Sequence, residues 1–288
     1  MKVIILILIP LEIGISQTWV QKVTSSALGN SLAVNPLDSN IIYGSPGSRF
    51  VHISRDRGYT WQQKGNGVPV AGVQPNIIKS IAVNPLDTLQ LLVGVESSGS
   101  EFDRILKSTD GGLSWTQTWA GSFYYYGKPV EFEPRHPDTV YTMGNDTLWR
   151  SIDFGSTWDT VTVRRNGDFN AWCDAEIRPD SANIIFLGDA GTGIWKTTDH
   201  GATWRKVFAA IASGEVPSIA IDPFNVQVMY ATRFSGGGGV IKSTDGGETW
   251  QALTTPVGFS STWWITCSAE HPGYVYFGVF FTGTLGGV

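Results

Sequence analysis

The sequence lacks the features that mark several common classes of protein. Only 16% of its 288 residues are charged, and no block of lysine or arginine could follow a nucleic-acid backbone, so we expect no nucleic-acid partner. The four histidines stand singly and no glycine-rich phosphate loop opens a helix, so we expect no metal site and no cofactor. After the first residues, no apolar run is long enough to span a membrane.

Cysteine is also scarce. Cys173 and Cys267 are the only two in the sequence, and they stand at different offsets from the landmarks of the repeats described below. We expect both to be reduced and buried, with a cross-linked pair as the alternative. Export without a disulfide framework fits a bacterial periplasm or cell exterior.

The amino terminus is typical of a secretory signal. Lys2 precedes a short apolar run that Glu12 closes, and Gly14 and Ser16 are small residues placed as a cleavage site requires. This pattern predicts a signal peptide over residues 1–16 and a mature chain of residues 17–288 that is secreted, periplasmic or attached to the cell surface. The alternative is a buried first strand.

What the sequence does contain is an octet that occurs five times, with the pattern [Ser/Thr]-x-Asp-x-Gly-x-[Ser/Thr]-Trp. Its copies are separated by about 45 residues, a period typical of propellers and other repeat arrays. The aspartate can accept hydrogen bonds from backbone N–H groups downstream, the glycine permits a positive φ, and the tryptophan can pack against a neighbouring unit. These roles are structural, and they fall on Asp56, Trp61, Asp110, Trp115, Asp153, Trp158, Asp199, Trp204, Asp245 and Trp250.

Four short strands are predicted in each repeat. An alternating strand runs into a proline turn, a second apolar run follows, a third leads into the octet and a fourth leaves it. The fold class is therefore all-β, a propeller of four-stranded blades with five complete blades and a partial sixth. We expect the reading frame to be truncated at the carboxyl end. The alternative is a natural end at which an amino-terminal strand near Thr18–Val23 completes the sixth blade.

The octet resembles the Asp box of bacterial neuraminidase repeats. That box recurs in sialidases, sortilin-type receptors, tandem-propeller xyloglucanases and the photosystem II assembly-factor propellers, and the resemblance covers nearly the whole mature chain. It implies a β-propeller whose boxes lie on the rim, away from the functional face. The Phe/Tyr-Arg-Ile-Pro segment of sialidases has no match here, and xyloglucanases are much longer, with catalytic aspartates between two propellers.

Variable loops on the face opposite the boxes are the predicted place for specificity. Their aromatic side chains could stack on sugar rings or cover peptide chains, and their acids could act as paired carboxylates. The alternatives are that the rings plug the channel or pack between blades and that the acids are solvated. The candidate ligand-binding residues are Tyr124, Tyr125, Tyr126, Trp172, Trp263, Trp264, Asp168 and Asp174.

Two main hypotheses for function follow from this arrangement. The first is an exported, non-catalytic recognition module, expected to act as a monomer, that binds a protein segment or a glycan on its loop face. The second is a glycoside hydrolase, sialidase-like or xyloglucanase-like, that uses loop carboxylates on the same face. A third hypothesis, a purely structural array, predicts a mouth blocked by the protein's own aromatic side chains.

Overall fold

The protein is described by a computed structural model over residues 4–8, 31–45, 48–69, 77–97, 102–123, 129–144, 146–163, 171–191, 193–209, 214–234, 238–254 and 262–279. Every regular element within these ranges is a β-strand, and no helix occurs among them. The strands form five four-stranded antiparallel sheets and one three-stranded sheet, each four-stranded sheet in simple chain order. These sheets are the blades of a propeller, and the prediction of an all-β fold is confirmed.

The first three blades are continuous in sequence, and their inner strands are rich in branched apolar residues. Blade one consists of β2 (Leu32–Val34), β3 (Ile42–Gly44), β4 (Val51–Ser54) and β5 (Gln62–Lys64). Blade two consists of β6 (Ile77–Val83), β7 (Leu91–Glu96), β8 (Asp103–Ser108) and β9 (Thr116–Gly121). Blade three consists of β10 (Glu131–Phe132), β11 (Val140–Met143), β12 (Thr147–Ser151) and β13 (Asp159–Val163).

Two more complete blades follow the same plan. Blade four consists of β14 (Trp172–Ile177), β15 (Ile185–Asp189), β16 (Gly193–Thr197) and β17 (Arg205–Ala209). Blade five consists of β18 (Ile219–Ile221), β19 (Met229–Arg233), β20 (Gly239–Ser243) and β21 (Gln251–Ala252). In every complete blade a proline turn joins the first strand to the second, as the sequence predicts.

The sixth sheet is made from both ends of the chain. It contains β22 (Thr262–Cys267), β23 (Val275–Val279) and β1 (Ile4–Leu8), in the order β22-β23-β1. β1 pairs antiparallel with β23, from Ile4 opposite Val279 to Leu8 opposite Val275, and so takes the place of a third strand. The structure thus shows residues 4–8 as a strand. The signal peptide over residues 1–16 stays a prediction, and Thr18–Val23 lies outside the described residues.

The hydrophobic core is divided among the junctions between successive blades. Ile81 and Val83 of the first strand of blade two, for example, pack with Tyr43 and Ile53 of blade one. Comparable clusters join blades two and three, three and four, four and five, and five and the sixth sheet. Each blade therefore depends on its neighbours for burial of its faces, which is the physical basis of the repeat.

One face of blade one is uncovered. The side chains of Leu32 and Val34 in β2 are 48% and 56% exposed. The residues at the same strand positions in blade two, Ile81 and Val83, are 7% and 5% exposed because blade one packs over them. Among the five complete blades, the first strand of blade one is thus the most exposed.

The Asp-box turn has the same hydrogen bonds in all five copies. In the fifth, Asp245 Oδ1 accepts from Ser243 Oγ (2.7 Å) and from the backbone N–H of Thr249 (2.9 Å), while Oδ2 accepts from Thr249 Oγ1 (2.6 Å). Ser243 Oγ in turn accepts from the N–H of Gly247 (2.9 Å). Gly246 and Gly247 both have positive φ (70° and 79°), which places two left-handed residues in the turn. Ser, Asp, Gly and Thr thus form one local unit.

Four of the five box tryptophans pack into the junctions between blades. Trp115 is 8% exposed and belongs to the cluster shared by blades one and two. Trp158, Trp204 and Trp250 contact the corresponding clusters at the next three junctions. The indole N–H of Trp204 donates to the carbonyl of Gly201 in its own box (3.0 Å), which fixes the ring against its turn.

These turns should make the stability of the fold sensitive to acid. Hydrogen bonds from hydroxyl and backbone groups lower the pKa values of Asp56, Asp199 and Asp245 to about 2, from an ordinary value near 3.8. Because the folded-state pKa is the lower one, the stabilisation is present above about pH 4 and is lost as the pH falls toward 2.

We therefore expect the free energy of unfolding, measured with urea, to fall between pH 5 and pH 2 by less in Asp245→Asn than in the parent protein. Asp87→Asn, which changes an exposed aspartate outside the boxes, is the matched control. An identical pH dependence in the parent protein and Asp245→Asn would contradict the role given to the box aspartate.

Candidate binding site on the loop face

The direction of the strands defines two ends of the propeller. The boxes follow the third strands, and the proline turns follow the first strands, so both lie at one end. The starts of the first strands and the ends of the second strands therefore lie at the other end, which we call the loop face. This is where the sequence places the candidate ligand-binding residues.

The best-defined group on the loop face joins blade five to the sixth sheet. The rings of Phe234 and Trp263 meet edge to face, with centroids 5.1 Å apart and planes at 86°. Phe234 directly follows β19, and its backbone pairs with that of Glu215 through N–H to carbonyl bonds of 3.1 and 3.0 Å. Trp263 is half-buried near the start of β22. We call Glu215, Arg233, Phe234, Thr262 and Trp263 the aromatic cluster.

Thr262 holds the two parts of the aromatic cluster in register. Its Oγ1 accepts from the backbone N–H of Arg233 (3.1 Å) and lies within hydrogen-bond distance of the carbonyls of Gly239 (2.6 Å) and Arg233 (3.0 Å). The hydroxyl of Thr232 donates to the carbonyl of Trp263 (2.8 Å). Because these contacts are buried or half-buried, Trp263 is presented from a fixed backbone.

Arg233 adds a cationic residue, directly before Phe234 in the chain. Its Nε is buried and has no hydrogen-bond partner among the described residues, although its backbone is held by Thr262. A half-buried arginine and an aromatic pair at the same end of the propeller suit a ligand with a flat face and polar edges. A sugar ring has both, as its axial C–H groups stack on aromatics and its hydroxyl groups accept from arginine.

Trp264 lies at a first-strand position that can be compared between blades. The pairing registers place it in line with Ser80, Asp174 and Ser218 of blades two, four and five. It is half-buried. The structure thus places Trp263 and Trp264 side by side in the chain at the loop face, with Trp263 in the ring contact.

Asp174 serves to join neighbouring blades. It is fully buried, and its Oδ2 accepts the backbone N–H of Ile219 in blade five (2.7 Å). Ser218, at the same position one blade later, accepts the N–H of Ile265 through its Oγ (3.4 Å). The two contacts are successive steps of one inter-blade pattern, so the position of Asp174 has a structural explanation without a ligand.

Trp172 is also completely buried. Its ring packs with Tyr141, Met143 and Leu148 of blade three, in the core between blades three and four. This is the packing role that the sequence left open as the alternative. Its indole has no exposed face for a ligand. The remaining candidates, Tyr124, Tyr125, Tyr126 and Asp168, lie outside the described residues.

Other acids near the loop face are engaged by the backbone. Asp103 accepts the N–H groups of Ser97 (2.8 Å) and Phe123 (2.7 Å), while burial raises the pKa of its carboxyl group above the ordinary value. Glu96 pairs with Lys79 at 3.1 Å. These contacts hold loops of blade two together, and they direct the carboxylates toward the protein itself.

The two cysteines are free thiols. Cys173 is fully buried, and burial followed by the nearby Glu215, Asp189 and Asp174 raises its pKa well above the ordinary value. Cys267 is half-buried, and burial raises its pKa to about 12. Both are therefore protonated at neutral pH and unsuited to nucleophilic chemistry. Within the described ranges, no group of three or more potential ligands could hold a metal ion.

Sequence reasoning missed Phe234. It ends the second strand of blade five, where blade two has Glu96 and blade four has Ala190. Its proximity to Trp263 depends on the pairing between consecutive blades, which is a long-range contact. A comparison of strand ends between repeats is the signal that could have singled it out.

A family model for the BNR/Asp-box repeat matches residues 241–252, the third strand and box of blade five. The chain also superposes on an ancestral GH74 enzyme with a TM-score of 0.64 and 20% identity, over 83% of this chain and 33% of that one. A GH74 xyloglucanase from Xanthomonas campestris gives a TM-score of 0.62 and 15% identity, over 87% and 42%. The protein is therefore an Asp-box β-propeller, as the recurrent octet predicts.

Sequence similarity extends to curated xyloglucanases. A xyloglucanase of Acetivibrio thermocellus is 30% identical over 40% of this chain and 17% of its own length. The chain thus spans less than a fifth of the length of that curated relative. No helix among the described residues is long and apolar enough to cross a membrane.

Proposed function

We propose that the protein is an exported recognition module that binds a neutral glycan on its loop face without cleaving it. The observation that carries the proposal is the aromatic cluster, in which Phe234 and Trp263 form an edge-to-face pair and the half-buried Arg233 directly precedes Phe234. The similarity to xyloglucanases supports a β-glucan as the ligand class. A protein segment is the other kind of ligand that exposed aromatic side chains of this kind suit.

The absence of catalysis in this proposal rests on two described carboxylates near the loop face, Asp174 and Asp103. A glycosidase of the common type needs two carboxyl groups facing the scissile bond, separated by roughly 5–10 Å. Asp174 is buried against the N–H of Ile219, and Asp103 is held by two backbone N–H groups. Neither is oriented as an acid or base toward a bound sugar.

Hydrolysis is the second candidate, and the similarity to xyloglucanases favours it. Recognition and hydrolysis can be distinguished by incubating the purified protein with xyloglucan oligosaccharides. Calorimetry measures binding, and a colorimetric assay measures the formation of new reducing ends. Binding with no increase in reducing ends supports recognition. Turnover that disappears in a loop Asp→Asn or Glu→Gln variant would instead assign a glycoside hydrolase.

Export is the third part of the proposal and is tested separately. We expect the protein recovered outside the cytoplasm to begin near Gln17, because the residues before it have the pattern of a cleaved signal. Mass spectrometry of the mature chain measures this directly. A mature protein that retains residues 4–8 would instead match their place beside β23 in the sixth sheet.

A further inference from the structure

A groove on the outer rim separates blades two and three. Its volume is about 460 Å³, within the range of roughly 300–1,000 Å³ that is typical of small-molecule sites. We call it the rim groove. It lies beside the boxes, at the opposite end of the blades from the aromatic cluster. The described residues that line it include Lys107, Ser114, Thr116, Gln117 and Ser156, and none of the described lining residues has a carboxylate side chain.

Among the described residues that line the rim groove, Lys107 is the one with a charged side chain. Its ammonium donates to the carbonyl of Asp153 (3.1 Å) and to Ser156 Oγ (2.8 Å). An ammonium group has three N–H donors, so these two bonds leave one N–H for a ligand, while the Phe154 ring lies below the ammonium at 5.4 Å from its centroid. The nearby carboxylates are held elsewhere, since Asp153 accepts from its own box and Asp138 accepts from Asn84 Nδ2 (3.1 Å).

The junction between blades four and five shows what this position can hold. Lys196 stands at the same place in its third strand as Lys107 and donates to the carbonyl of Gly246 (2.8 Å) in the next box. It also donates to Glu248 Oε1 (2.7 Å), which Arg205 Nη2 contacts at 2.7 Å. A carboxylate of the protein therefore fills the cationic position at this junction.

The rim groove has neutral residues where the other junction has charged ones. Ser156 occupies the position in its box that Glu248 has in the fifth box, and Thr116 follows its box tryptophan as Arg205 follows Trp204. The carboxylate and one of the two cations are thus replaced by hydroxyl groups. Lys107 therefore lies beside an open groove. A glutamate at position 156 would place its carboxylate there, as Glu248 does beside Lys196.

We propose that the rim groove binds an acidic saccharide, with the carboxylate of a uronic acid residue taking the place that Glu248 fills at the other junction. Lys107 and Ser156 receive the carboxylate. Ser114, Thr116 and Gln117 offer hydroxyl and amide groups that can both donate to and accept from sugar hydroxyls. This site is separate from the loop face and does not depend on the function proposed for it.

The test uses trigalacturonic acid as the probe and maltotriose as the neutral probe, in calorimetric titrations at low ionic strength. We expect trigalacturonic acid to bind and its affinity to fall as salt is added, because the partly exposed ion pair is screened. Ser156→Glu should weaken binding at least about tenfold, since a carboxylate of the protein then occupies Lys107. Glu248 shows that the fold accommodates glutamate at this box position.

Two further variants control the experiment. Ala202→Glu introduces the same charge at the same box position in blade four, and binding should be unchanged. Glu248→Ser should uncover Lys196 and Arg205 and raise the stoichiometry from one site to two. Failure of trigalacturonic acid to bind, equal binding of maltotriose, or full binding to Ser156→Glu overturns the proposal. Equal or tighter binding of tetraglutamate overturns the assignment of a saccharide.

Discussion

Replacing Trp172 by alanine is expected to lower the free energy of unfolding by about 3–5 kcal/mol, the usual cost of truncating a fully buried tryptophan. The ring is 0% exposed and packs with Tyr141, Met143 and Leu148 across the junction of blades three and four. Its removal leaves a cavity between two blades that depend on each other for burial. Urea unfolding followed by tryptophan fluorescence measures the change.

The control for this prediction is Trp263→Ala, which removes a half-buried tryptophan and should cost clearly less. Trp172→Phe keeps most of the packing and gives a second, milder measurement if the alanine variant does not fold. Equal losses of stability in Trp172→Ala and Trp263→Ala would contradict the distinction between a core ring and a binding ring.

Replacing Trp263 by alanine is expected to weaken glycan binding by about thirtyfold or more, since a central aromatic contact is commonly worth at least about 2 kcal/mol. The edge-to-face contact with Phe234 orients the ring before any ligand arrives. Phe234→Ala should therefore also reduce affinity, through loss of that orientation. Calorimetric titration with xyloglucan oligosaccharides gives both values.

Phe224→Ala is the matched control for the binding prediction. Phe224 is an aromatic residue of the same blade as Phe234, it is 52% exposed, and it lies at the box end, away from the aromatic cluster. Its removal should leave affinity unchanged. Loss of binding in this variant, or unchanged binding in Trp263→Ala, would move the glycan site away from the loop face.

The Asp-box turn could be predicted from sequence because all its hydrogen bonds are local. Asp245 contacts residues two positions before it and four positions after it. The same is true of the proline turns, where Asn35 Oδ1 accepts the N–H of Leu37 (2.9 Å). Short-range contacts of this kind depend on residue type and spacing, and both are visible in the sequence.

The roles of the tryptophans could not be predicted in the same way. Trp172 and Trp263 both stand near the start of a first strand, and sequence reasoning grouped them as ligand contacts. The pairing registers show that Trp172 corresponds to Thr262, which is also fully buried, while Trp263 corresponds to Cys173. A one-residue difference in strand position decides which face a side chain occupies, and only the pairing reveals it.

Amide hydrogen exchange should reveal a gradient of protection along the chain that starts at the uncovered face of blade one. A blade gains most of its stability from the sheets on either side. Because Leu32 and Val34 of blade one are exposed to solvent, we expect blade one to have the smallest free energy of local opening. The backbone N–H groups of β2 and β3 should exchange before those of β18 and β19, whose blade is flanked on both sides. Local opening should therefore begin at blade one, at its exposed first strand, and extend from there to the later blades.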